Sequence, residues 1–166
     1  MPSCATSSNR RVKRHAAELR QAASLSNDPD ELARQGWQYL KEGRVSEAWK
    51  ACEKLLQLAP DREATQYLVS KTALQVGNAR LALTHADKSL TLSDKAALHL
   101  QRAQCLLVLG ERKATRAAVQ ESVARAPKDA AILVVAGSIL NKCEDVAGAL
   151  EIFRQAQQLE PGNASV

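Results

Sequence analysis

The residues best suited to chemistry in this 166-residue chain are four cysteines, three histidines and the adjacent carboxylates Glu144 and Asp145. Their spacing argues against using them that way. Cys4, Cys52, Cys105 and Cys143 are spread along the chain with no CxxC pair, and His15, His85 and His99 make no i, i+4 pairing with each other or with a cysteine. Neither zinc ligation nor dithiol exchange has its motif here, so no metal or other cofactor is expected and the thiols are read as reduced, in a cytoplasmic protein. Glu144 and Asp145 are the carboxylate pair considered for acid–base work. They fall where a turn between two helices is expected, and a solvated helix cap explains them better than an acid–base dyad. With no GxSxG, no HExxH and no glycine loop that could cradle a phosphate, the chain offers no nucleophile and no acid–base pair, and it is read as a non-enzyme.

Charge is uneven. Arg10, Arg11, Lys13, Arg14 and Arg20 stand against Glu18 and Asp28, so the first 28 residues carry +3 of the net +5. A basic run can contact nucleic acid or an anionic membrane, but no aromatics accompany Arg10 to Arg14 for base stacking, so a solvated basic leader is the favoured reading. Residues 1–9 are small and polar and are expected to be disordered; residues 10–28 form a basic leader with a short helix whose face is Val12, Ala16, Leu19 and Ala23. No apolar run is long enough for a signal peptide or membrane span. The composition, 45% apolar and 3% aromatic with seven glycines and five prolines, suits stacked helices with an Ala- and Leu-rich core.

The elements that must position any functional side chain are clearest in residues 31–60. Leu32, Gly36, Tyr39 and Leu40 recur at helical spacing, as do Val45, Ala48, Trp49, Cys52, Leu55, Leu56 and Leu58. Gly43 between them suits the left-handed conformation that closes a helix, and Pro60 ends the second run. Asp28, Pro29 and Glu31 spell an N-terminal cap, with Glu31 placed to complete a capping box. The result is a helical hairpin, which cannot bury its apolar faces alone and must stack on copies of itself.

Copies are present. Pro60, Pro127 and Pro161 lie 67 and 34 residues apart, and Gly43, Gly77 and Gly110 lie 34 and 33 apart. Four units follow, at 29–62, 63–95, 96–129 and 130–163, with 164–166 as a tail. Small residues pair within each unit at fixed offsets: Gly36 with Ala48, Ser70 with Ala82, Ala103 with Thr115, and Gly137 with Ala149. Period and offsets together resemble the tetratricopeptide repeat (TPR) family. The match departs from the family pattern at Ala73, Leu106 and Leu140, where an aromatic like Tyr39 is usual, at Cys52, Ala86 and Val119, where only the fourth unit has its aromatic, Phe153, and at Glu144, which replaces the turn glycine.

The resemblance implies an all-α fold, a right-handed α-solenoid of antiparallel helix pairs, whose first helices line a concave groove. Carried over by offset, the groove positions are Ala33, Arg34, Trp37, Leu40 and Lys41, then Ala64, Tyr67, Leu68, Lys71 and Leu74, then Leu100, Gln101, Gln104, Leu107 and Val108, and finally Val134, Val135, Ser138, Asn141 and Lys142. TPR domains that hold the C-terminal carboxylate of heat-shock chaperones place lysines, an arginine and asparagines at offsets that here carry Ala33, Trp37, Leu68, Ala97 and Gln101, so that clamp is not expected. A mostly apolar trough instead suits another protein or a peptide, laid in as an amphipathic helix or an extended segment with Trp37 and Tyr67 as anchors. Packing between the leader helix and the first unit is the competing role for Trp37; for Trp49 packing is favoured. The reading is therefore a binding scaffold with no small-molecule substrate. Two alternatives stay open: the TPR region at the front of a larger enzyme, such as a sulfotransferase or glycosyltransferase, and a TPR-type secretion chaperone. With only GNASV after Pro161, the last apolar face is expected to be covered either by the rest of a longer protein, the favoured reading, or by a second copy or a partner, so that self-association through the fourth unit stays open.

Overall fold

The computed structural model describes residues 25–160, and every regular element among them is an α-helix. In chain order these are α1 (Pro29–Lys41), α2 (Val45–Leu58), α3 (Glu63–Gln75), α4 (Ala79–Leu92), α5 (Ala96–Val108), α6 (Arg112–Arg125), α7 (Ala130–Lys142) and α8 (Val146–Leu159). The leader helix expected before residue 25 and the tail after Glu160 lie outside the described residues.

Local chemistry sets the helix ends. The Asp28 carboxylate accepts from the Asp30 and Glu31 amides at 3.3 and 3.4 Å, with Pro29 in the first helical turn. The capping box is only half made, because Glu31 turns away to pair with Arg34 at 2.7 Å and the Asp28 amide donates to Ser26 Oγ instead. Asn78, Asp129 and Asp145 each accept from an amide of the following first turn at 3.1 Å, capping α4, α7 and α8. The first three pairs turn on Gly43, Gly77 and Gly110, with φ of 73°, 81° and 79°. In the fourth the same conformation falls on Glu144, at φ 62°, a placement a residue with a Cβ adopts at a cost. All four turns share one hydrogen bond running back across the helix end, such as Arg44 N to Tyr39 O at 2.8 Å and Asp145 N to Leu140 O at 2.9 Å.

Packing then orders the pairs. Each helix contacts the one before and after it, and α1, α3, α5 and α7 also contact one another in succession, whereas α2, α4, α6 and α8 do not. First helices thus form the tighter inner layer of an α-solenoid and second helices the splayed outer one. The small residues make the close crossings: a Cβ on Gly36 would lie 2.6 Å from Leu68 Cδ2, and one on Gly137 would lie 2.7 Å from the Phe153 ring. Where the residue is Ser70, its hydroxyl donates to the Ala82 carbonyl oxygen at 2.8 Å. The core runs along the axis as three adjoining clusters, around Leu32, Leu55 and Leu68, around Ala73, Ala82 and Cys105, and around Ala103, Val119 and Ile139. A fully buried leucine of this kind contributes about 1.5–3 kcal/mol through burial.

Candidate functional site

The inner layer carries a connected line of side chains across three helix pairs. Tyr67 and Lys71 lie four residues apart on α3 and so occupy one face of it, one turn apart. The Tyr67 ring meets Trp37 of α1 with centroids 5.4 Å apart and planes tilted by 50°, a favourable aromatic geometry. Lys71 Nζ stands 5.7 Å from the centre of the same Tyr67 ring and donates to Gln104 Oε1 of α5 at 3.0 Å. Burial pushes the Tyr67 phenol up, with the Glu63 charge adding to it, and pushes the Lys71 ammonium down. Trp37, Tyr67, Lys71 and Gln104 are all half-buried, so each keeps a face open to solvent.

The other expected groove residues divide. Arg34, Lys41 and Asn141 are exposed, and Val108 is 63% exposed. Leu40, Leu74 and Leu107 are half-buried, each packed against one of the core clusters. Val134 is half-buried, while Ser138 satisfies its own hydroxyl by donating to the Val134 carbonyl oxygen at 2.8 Å. Leu68 is not a groove residue: it is fully buried, its Cδ2 filling the space left by the missing side chain of Gly36. Leu100 and Gln101 are likewise core, and Gln101 Nε2 donates to Ser70 Oγ at 2.9 Å. The offset shared by Leu68 and Gln101 is enclosed because their pairs have a neighbour on both sides. At the same offset Arg34 and Val135, in the first and last of the described pairs, are exposed.

Two clefts escaped the sequence reading as clefts. An apolar one of about 330 Å³ lies between the start of α7 and the end of α8, lined by Ala131, Val134, Val135 and Ala156. A polar one of about 360 Å³ runs along α1, where the Arg44 guanidinium sits 4.5 Å above the Tyr39 ring and pairs with Glu42 and Glu47 at 3.2 and 3.1 Å. An arginine five residues after a tyrosine across a turn glycine was its only sequence signal.

The chemically suggestive residues have structural partners. Asp145 caps α8 and pairs with Arg116 at 3.1 Å, and Glu144 pairs with Arg112 at 2.7 Å. His85 Nδ1 bonds Gln66 Oε1 at 2.6 Å, and His99 Nε2 bonds Asp94 Oδ1 at 2.7 Å. Cys52, Cys105 and Cys143 are buried free thiols, and burial pushes the Cys52 thiol up to about 11. Trp49 packs its ring on the Ala73 and Ala82 cluster and donates from Nε1 to Glu53 at 3.0 Å. Among the described residues no group of three His, Cys, Asp or Glu could hold a metal, and no helix is long and apolar enough to cross a membrane.

No protein-family model matches the chain, and no curated protein does. Solved structures do. A thermophilic TPR protein of Thermus thermophilus superposes with a TM-score of 0.75 at 21% identity, covering 82% of this chain and 76% of its own. This chain has the tetratricopeptide-repeat fold. Other TPR structures agree: MamA from Desulfovibrio magneticus RS-1 aligns with a TM-score of 0.71 at 21% identity over 96% of this chain and 94% of its own. YrrB, described as a TPR protein with an unusual peptide-binding site, gives 0.64 at 20% identity over 94% and 81%. In TPR terms, Trp37, Tyr67, Lys71 and Gln104 lie on the inner helices of three consecutive repeats.

Proposed function

We propose that this TPR array is a cytoplasmic scaffold that binds a protein or peptide segment along its inner helices and has no catalysis of its own. The observation that carries the reading is the unbroken contact from Trp37 through Tyr67 and Lys71 to Gln104, half-open to solvent and followed on α5 by the exposed Val108. A rigid aromatic pair beside apolar rungs is the kind of surface that anchors an apolar side chain at small entropic cost. The peptide-binding site named for YrrB supports the same reading, and the unbridged thiols support the cytoplasmic one.

The test is a capture experiment from native lysate with wild-type chain beside a Trp37→Ala, Tyr67→Ala, Leu107→Ala variant of equal helicity by circular dichroism. A band lost only from the variant supports the groove, while identical bands refute it. Association between copies through the apolar α7–α8 cleft is a second reading, favoured by its lining and by the exposed Leu150 and Leu159. It predicts a mass that rises with concentration and falls back to monomer in Val135→Glu.

A further inference from the structure

Charge is sorted by sign along the inner helices. Their only acidic residues are Asp30 and Glu31 on α1 and Glu63 on α3, all in the first turn, and α5 and α7 contain none. Each of the three is already engaged, Asp30 by Arg62 at 2.5 Å, Glu31 by Arg34 at 2.7 Å and Glu63 by Lys95. Lys71 has no such partner among the described residues: its ammonium meets the Tyr67 ring and the neutral Gln104 amide oxygen, with the buried Cys105 thiol close enough to feel its charge.

A half-buried ammonium without a carboxylate has given up part of its hydration for two neutral contacts, which leaves a carboxylate better recognised here than on an open surface. We propose that the groove selects an acidic peptide, one that sets an Asp or Glu side chain on Lys71 and an adjacent apolar side chain on the Trp37–Tyr67 pair. The inference rests on the scaffold reading above and adds the charge of the ligand to it. Lys41 and Lys142 at the ends of α1 and α7, exposed and without ion-pair partners among the described residues, extend the same sign of potential. The offered carboxylate is a side chain rather than a chain terminus, because one lysine among apolar residues provides one charge and no second donor set to fix a terminal group.

The direct test is selection of a random dodecapeptide library, displayed with its C-terminus fused so that no free terminal carboxylate is presented. The baits are the whole wild-type chain, Lys71→Gln, and Trp37→Ala with Tyr67→Ala. Wild-type chain should recover peptides enriched in Asp or Glu beside an apolar residue. Lys71→Gln should lose that enrichment and bind a synthetic wild-type-selected peptide roughly tenfold or more weakly, with a flatter salt dependence. Peptides that need Trp37 and Tyr67 but show no acidic preference would overturn this inference and leave the scaffold reading standing. Acidic peptides held equally by Lys71→Gln would overturn the assignment to Lys71. No peptide that depends on the aromatic pair would remove the groove reading, and this inference with it.

Discussion

Gly36→Ala probes the closest crossing in the array. The added Cβ would sit 2.6 Å from Leu68 Cδ2 and 3.5 Å from Ala51 Cβ, so the fully buried Leu68 side chain would have to shift against its core neighbours. The first contact is about 1 Å shorter than ordinary carbon–carbon packing, and overpacking of this size costs about 1–3 kcal/mol. Alanine returns about 1 kcal/mol over glycine in a helix interior. The net expectation is a loss of up to about 2 kcal/mol, or up to about 8 °C in Tm for a chain of this size. Leu68→Ala alone should cost about 2–5 kcal/mol, but in its background the new methyl group has room, and Gly36→Ala should then stabilise by about 1 kcal/mol. Urea unfolding of the four proteins should therefore give a coupling of about 1–3 kcal/mol. A neutral or stabilising Gly36→Ala in the wild-type background, with no coupling to Leu68, would refute the claim that this crossing is sterically locked.

Three further outcomes follow from other sites. Glu144→Gly should stabilise by up to about 1 kcal/mol in urea unfolding, because relief of a left-handed residue outweighs an exposed ion pair to Arg112. His85 is pushed below its ordinary value, first by desolvation and then by Lys88, so the unfolded chain takes up its proton first as pH falls. Stability should be full above about pH 6.5, the free histidine value, and decline below it; the urea midpoint should drop between pH 7.5 and 5, and less so in His85→Gln. Gln101→Met removes Oε1, a buried acceptor with no partner, while Ser70 keeps its bond to the Ala82 carbonyl oxygen, so thermal unfolding should shift by less than about 1 kcal/mol in either direction.

The repeating parts of the molecule were legible because they depend on local chemistry. The turn glycines, Pro60, the Asp28 cap and the small-residue pairs each act within a few residues or at a fixed offset, and the helices start and stop beside them. Glu144 kept its turn despite the missing glycine, because the hydrogen bond from Asp145 N to Leu140 O holds the same geometry. The groove was less legible. An offset transferred equally to four units treats them as equivalent, whereas enclosure depends on how many neighbours a pair has, so Leu68 and Gln101 were buried while Arg34 and Val135 were not. Lys71 and Gln104 stand one repeat apart at the same offset, so the period placed them side by side on adjacent inner helices, but nothing in the sequence announces the hydrogen bond between their side chains. The same holds for the apolar cleft, where Val135 and Ala156 come together from separate helices.

The central claim is that the inner helices are the binding face. Its most direct test is site-specific photocrosslinking in native extract, with benzoylphenylalanine placed singly at Lys41 and Val108 on the inner helices and at Lys50 and Lys88 on the outer ones, all exposed positions. The account predicts discrete crosslinked partners from Lys41 and Val108 that disappear in the Trp37→Ala, Tyr67→Ala background, and none from Lys50 or Lys88. Crosslinks confined to the outer positions, or inner crosslinks indifferent to the aromatic pair, would contradict it.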